Sequence, residues 1–150
     1  MRSITLVSVI AVFALVTGCA GGKESPIGFS LPEGNPDNGK AAFVALQCNA
    51  CHSTKDVAQL ATEGDISVYL GGEVGRVKTY ADLVTSIINP SHRLARGYSP
   101  ATVAAGADSK MTNYNSVMTV EQMVDLVAYL QPQYRLMVYK QTTYIPYQYR

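Results

Sequence analysis

The sequence predicts an all-α domain. Two helical stripes carry capping signals at both ends, a third segment opens with a strong helix start, and no stretch shows the strict alternation that demands a sheet. The first segment opens at Asn35-Pro36, a capping residue followed by proline at the first helical position, and is expected to run to about Gln47 with Ala42, Phe43 and Leu46 on one face. The second covers about Tyr80 to Asn89 behind the cap Thr79. Tyr80, Leu83, Val84, Ile87 and Ile88 follow the i, i+3, i+4, i+7, i+8 stripe, and Pro90 stops it. The third is the clearest. Thr119 caps, Gln122 completes a capping box, Met123, Leu126, Val127 and Leu130 form the apolar face, and Pro132 ends it. Between His52 and Lys78 the chain is Gly-rich and weakly patterned, and reads as loop.

The 150 residues fit one domain, and a hydrophobic share of 47% is ordinary for a globular chain. Charged residues are sparse at 15%, and without Arg2 the remainder holds 11 Lys and Arg against 11 Asp and Glu, so there is no nucleic-acid footprint.

The N-terminus carries a separate signal. Met1-Arg2 is a minimal positive segment, and Ile4 to Val16 is an apolar run of signal-peptide length, short for a bilayer span. Val16-Thr17-Gly18-Cys19 then resembles a bacterial lipobox. That resemblance implies removal of residues 1–18 and lipidation of Cys19, the odd cysteine of the three. Residues 19–34, rich in turn formers, read as a lipid-anchored linker, those after the cysteine spanning up to roughly 50 Å if extended. The expected location is the periplasmic side of a bacterial membrane, inner or outer.

The chemistry sits in Cys48-Asn49-Ala50-Cys51-His52, a C-x-x-C-H sequence. Two thiols two residues apart on a helical turn reach the two vinyl groups of one porphyrin and form thioethers, and the next residue aims its imidazole at the iron. A structural zinc site needs four ligands, commonly two such pairs, and there is no second pair. A thioredoxin-like redox pair expects a β-α-β context, and a plain disulfide leaves His52 without a role. Covalent attachment of one haem c at Cys48 and Cys51, with His52 as an iron ligand, is the expectation.

With these residues in place, the chain resembles a class I monohaem cytochrome c domain over residues 35–131. The resemblance rests on Gly39-Lys40-x-x-Phe43, on the C-x-x-C-H motif, on Met111-x-x-Tyr114, and on Leu126-Val127-Ala128-Tyr129-Leu130. It implies a cytochrome c-like fold of a few helices wrapped around one covalently bound haem. The first and last helices would cross at Gly39, with Tyr129 packed against it and Phe43 nearby. Two departures stand out. The family often carries a proline soon after the haem motif whose carbonyl orients the histidine, and none occurs between His52 and Pro90. The family also often reads Met-Pro at the distal ligand, whereas Thr112 follows Met111.

The ligand opposite His52 separates carrier from catalyst. Met123 belongs to a helix face, Met137 lies beyond the last helix, and Met118 precedes the cap Thr119 in a stapling position. Met111 sits in a polar loop, a poor home for an apolar side chain unless something binds it, and is the preferred candidate; Met118 and His92 stay open. A thioether ligand favours ferrous iron and raises the potential relative to a second imidazole. Arg76, Lys78, Arg93 and Arg96 are expected to be mostly solvated, with one or two available to haem propionates, and Tyr80 or Tyr98 as hydrogen-bond donors there.

Residues 132–150, a tyrosine-rich extension with Tyr134, Tyr139, Tyr144, Tyr147 and Tyr149, are too aromatic for a disordered tail. They are expected either to wrap over the domain or to dock a partner. The expected function is carriage of single electrons between redox partner proteins, and no catalytic triad or phosphate loop argues for independent catalysis. The rival functions are a haem enzyme or ligand sensor with an open distal site, and an electron-entry subunit of a larger redox complex.

Overall fold

The computed structural model describes residues 30–61 and 66–139. Four α-helices frame these residues: α1 (Pro36–Ala45), α2 (Tyr80–Ile88), α3 (Pro100–Val103) and α4 (Val120–Leu130). The signal segment 1–18, Cys19 and the tyrosines Tyr144, Tyr147 and Tyr149 lie outside the described residues.

The caps form as the local chemistry dictates. The Asn35 side chain accepts from the amides of Asp37 and Asn38, with Pro36 at the first helical position. Thr119 and Gln122 make the reciprocal capping box of α4. Thr79 and Asp82 make another on α2, which was not anticipated because Asp stands where Glu or Gln is usual. α3 was also missed, although Ser99-Pro100 carries the cap-then-proline signal; one turn is too short to show a stripe. α1 ends at Ala45, two residues before the expected Gln47, because Gln47 turns into the left-handed region at φ 54°.

α1 crosses α4 at Gly39. A Cβ there would collide with the Asp125 carbonyl and lie 2.8 Å from the Tyr129 Cβ, so only glycine lets the backbones meet. Asp125, buried in α4, accepts from the Asn35 amide at 2.7 Å and ties the start of α1 to its partner. The Phe43 and Tyr129 rings meet at 5.9 Å between centroids, tilted by 57°. Around them Ala42, Leu83, Val84, Leu126, Val127 and Leu130 form the core.

The frame is helical, as expected, with some strand besides among the described residues. Three minimal β-pairs clip the loops: β1 (His52–Ser53) with β2 (Val68–Tyr69), β3 (Gly72–Val74) with β6 (Tyr134–Leu136), both parallel, and β4 (Ala104–Ala105) with β5 (Asp108–Ser109), antiparallel. Strands of two or three residues satisfy backbone groups of the irregular segments but are too short to leave a period in the sequence.

Residues just outside 35–131 also pack on the core. Within the expected linker, Leu31 packs on the core, and a Cβ on Gly34 would lie 2.6 Å from the Val124 carbonyl of α4. At the other end, Tyr134 packs on the core and its strand pairs with β3, while Tyr139 is exposed.

Candidate functional site

The left-handed Gln47 turns the chain out of α1 and directly into a 3-10 turn, Cys48–Ala50. The Cys51 amide donates to the Cys48 carbonyl at 3.3 Å, so the two cysteines sit one helical turn apart, as the sequence predicts. Both are half-buried and unbridged. Burial pushes the Cys48 thiol up to about 11, only partly offset by a backbone hydrogen bond, so it stays protonated at neutral pH.

The open question of what orients His52 has a specific answer. Parallel pairing of β1 with β2 sets His52 opposite Val68, and the His52 Nδ1–H donates to the Val68 carbonyl at 3.2 Å. Val68 thus supplies the carbonyl for which no nearby proline is present. The bond fixes the tautomer, leaving the Nε2 lone pair available to a metal. Burial pushes the imidazole below its ordinary value against the opposing pull of that carbonyl, which favours the neutral, ligating form.

The described residues between His52 and Val68 are held by side-chain hydrogen bonds. Thr54 Oγ1 shares a buried 2.7 Å hydrogen bond with the Tyr129 hydroxyl and accepts from the Val57 amide at 3.0 Å. The Gln59 side-chain amide donates to the carbonyls of Ala50 at 3.1 Å and Ile66 at 2.7 Å. Tyr129 therefore reaches from the helix crossing to the haem-motif loop, a link that its place in the α4 motif did not reveal.

Tyr114, three residues after Met111, lies within electrostatic reach of the two cysteines. Burial is the largest influence raising its phenol, and the neighbouring Cys48 and Cys51 thiols add to it, while a hydrogen bond with Thr112 acts the other way. Met111 is half-buried and outside the core cluster, whereas Met118 and Met123 both pack against the core. Met137 is exposed. His92 is exposed in the turn after α2, and its ring pairs with the Asn89 carbonyl at 3.0 Å.

The basic residues around α2 have local partners. Arg76 and Arg93 lie 3.5 and 3.7 Å from Asp82, and Lys78 stands over the Tyr134 ring at 5.8 Å. Asp82 is held below its ordinary range: burial acts upward, but the Thr79 hydrogen bonds and the Arg76 and Lys78 charges prevail. The Tyr98 hydroxyl accepts from the Tyr69 amide at 3.1 Å. Burial, with Tyr98 and Tyr69 close by, pushes the Tyr134 phenol up to about 12.

The donor set fits a haem. Two unbridged thiols on one turn precede an imidazole of fixed tautomer, and the Asn49 Oδ1 between the thiols is buried without a hydrogen-bond partner. Among the described residues, no group of three or more His, Cys, Asp or Glu is placed to hold a metal ion unaided. No helix among them is long and apolar enough to cross a membrane.

A helical frame that delivers C-x-x-C-H with its histidine tethered defines a haem-binding electron-transfer domain. The cytochrome c family model matches residues 36–133, well over half of the chain, and the chain belongs to the cytochrome c family. It carries covalently attached haem c, with Cys48 and Cys51 fitting the attachment motif. Neither the curated proteins nor the solved structures gave a match.

Proposed function

We propose that the protein is a class I, monohaem electron carrier, with haem c on Cys48 and Cys51 and its iron between His52 and Met111. The observation that carries this reading is the His52–Val68 hydrogen bond, which presents Nε2 beside the two unbridged thiols. Bound haem supplies an iron that gains and loses one electron. The chain's part is to keep that iron's surroundings unchanged as it does so. His52 is held by Val68, and Met111 lies outside the core cluster, which supports its availability as the second ligand. A thioether opposite imidazole leaves no position for substrate, which separates this reading from a haem enzyme or sensor.

Met111→Ala is expected to open that position. Its reduction potential should fall by about 0.1 V or more, given the wide range that axial ligands span in haem proteins. The reduced variant should bind carbon monoxide rapidly, while Met118→Leu should match wild type. A potential unchanged in Met111→Ala and lowered in Met118→Leu would reassign the ligand.

We also infer that Cys19 is lipidated and anchors the domain on the periplasmic side of a bacterial membrane, where redox proteins are its partners. This is supported by the apolar run 4–16 and the lipobox-like Val16-Thr17-Gly18-Cys19. Cys19→Ser is expected to abolish labelling by a fatty-acid probe and release the protein from membranes. Equal labelling of wild type and variant would contradict the anchor.

A further inference from the structure

Thr112 stands where the family often reads proline, so the loop presenting Met111 needs another source of stiffness. Its hydrogen bonds supply one. The Met111 amide donates to Ser109 Oγ at 3.1 Å, and the Ser109 amide donates to Ser91 Oγ at 3.0 Å, in the turn directly after α2. On the other side of Met111, the Asn115 side-chain amide donates at 2.8 Å to the carbonyl of Ile88, the last residue of α2. Carbonyls at a helix end lack intrahelical partners, so this bond also completes α2. Asn115 is in turn oriented by its own amide, which donates to Asn113 Oδ1 at 2.9 Å. Beyond it, the Tyr114 carbonyl accepts from the Val117 and Met118 amides at 3.0 and 2.9 Å, leading into the core-packed Met118.

We propose that Ser91, Ser109 and Asn115 are positioning residues that brace the Met111 loop on both sides against the end of α2. The inference rests on Met111 being the distal ligand. The brace does through hydrogen bonds what proline does by restricting the backbone. It keeps the thioether from swinging away when the iron changes charge.

Carbon monoxide enters only when Met111 has left the iron, so its binding rate to the reduced holoprotein counts the open fraction. Losing one neutral hydrogen bond shifts such an equilibrium by about two- to tenfold. Ser109→Ala and Asn115→Ala should each speed carbon monoxide binding by about that factor, and the double variant by about the product, since the bonds act on opposite sides. Ser109→Thr keeps the hydroxyl and should restore the wild-type rate. Ser86→Ala removes an exposed hydroxyl bond within α2 and should change nothing. Each protein is also examined, oxidised, for the sulfur-to-iron charge-transfer band. If wild type shows the band and the Ser109→Ala and Asn115→Ala rates equal its own, the brace is overturned while the ligand stands. If wild type lacks the band, the ligand assignment falls and takes the brace with it.

Discussion

Replacing both Cys48 and Cys51 with Ala is expected to yield a chain that loses all its haem to acid-acetone extraction and has little helical structure. The first effect follows from removing both thioether sulfurs. The second follows from the size of the core. Among the described residues, Phe43 is the most deeply buried of the core, and the cluster around it is small, drawn from α1, α2 and α4. A domain this small gains little from its own apolar contacts, and a ligand that binds only the folded state adds its binding free energy to folding. Cys48, Leu46, Leu70 and Tyr80 pack against the core but are only half-buried, as expected of residues that share a large apolar group. Circular dichroism of the double variant checks the second effect. Native-like helicity without haem would mean that the protein core is sufficient.

Gly39→Ala should be nearly as damaging, although alanine is the better helix former by about 1 kcal/mol. The new methyl would have to displace the Asp125 carbonyl, which belongs to the backbone of α4 and cannot rotate aside. Relief requires the helices to separate, which lengthens the Asn35–Asp125 bond and draws Tyr129 away from Phe43 and Thr54. We expect a net loss of about 3 kcal/mol or more, the upper range for overpacking a core. Thermal unfolding of the holoprotein measures it. A variant as stable as wild type would show that the crossing tolerates a wider spacing.

The two variants touch the parts of the molecule that were most legible in the sequence. Asn35-Pro36, Thr119 with Gln122 and Cys48-x-x-Cys51-His52 act over at most five consecutive residues, so local chemistry suffices to read them. The glycine at the crossing became interpretable through resemblance. What escaped notice depends on pairing between distant segments. The Val68 carbonyl meets His52 only because β1 and β2 run parallel, and two-residue strands leave no alternation to detect. The Tyr129–Thr54 bond and the Ser91–Ser109 and Ile88–Asn115 contacts likewise join residues brought together by the fold. Arg76 and Arg93 are exposed, as expected, but their shared partner is hidden from the sequence for the same reason. Sequence places Arg76 and Arg93 on either side of α2, and only folding sets both beside Asp82.

Legibility also explains the division of roles among the methionines. Met118 and Met123 were expected to pack, and both do so against the core. Met111 stands out by its polar surroundings, and it stays outside the core cluster.

The central claim, one closed haem c that exchanges single electrons, is tested most directly on the wild-type holoprotein by a redox titration followed through the haem absorption, with and without carbon monoxide. The account predicts a single one-electron transition whose midpoint and freshly reduced spectrum carbon monoxide leaves unchanged, because its entry past Met111 is slow on the time of the measurement. Several transitions, or a reduced spectrum that changes promptly on adding carbon monoxide, would contradict it and point to a haem with an open distal site.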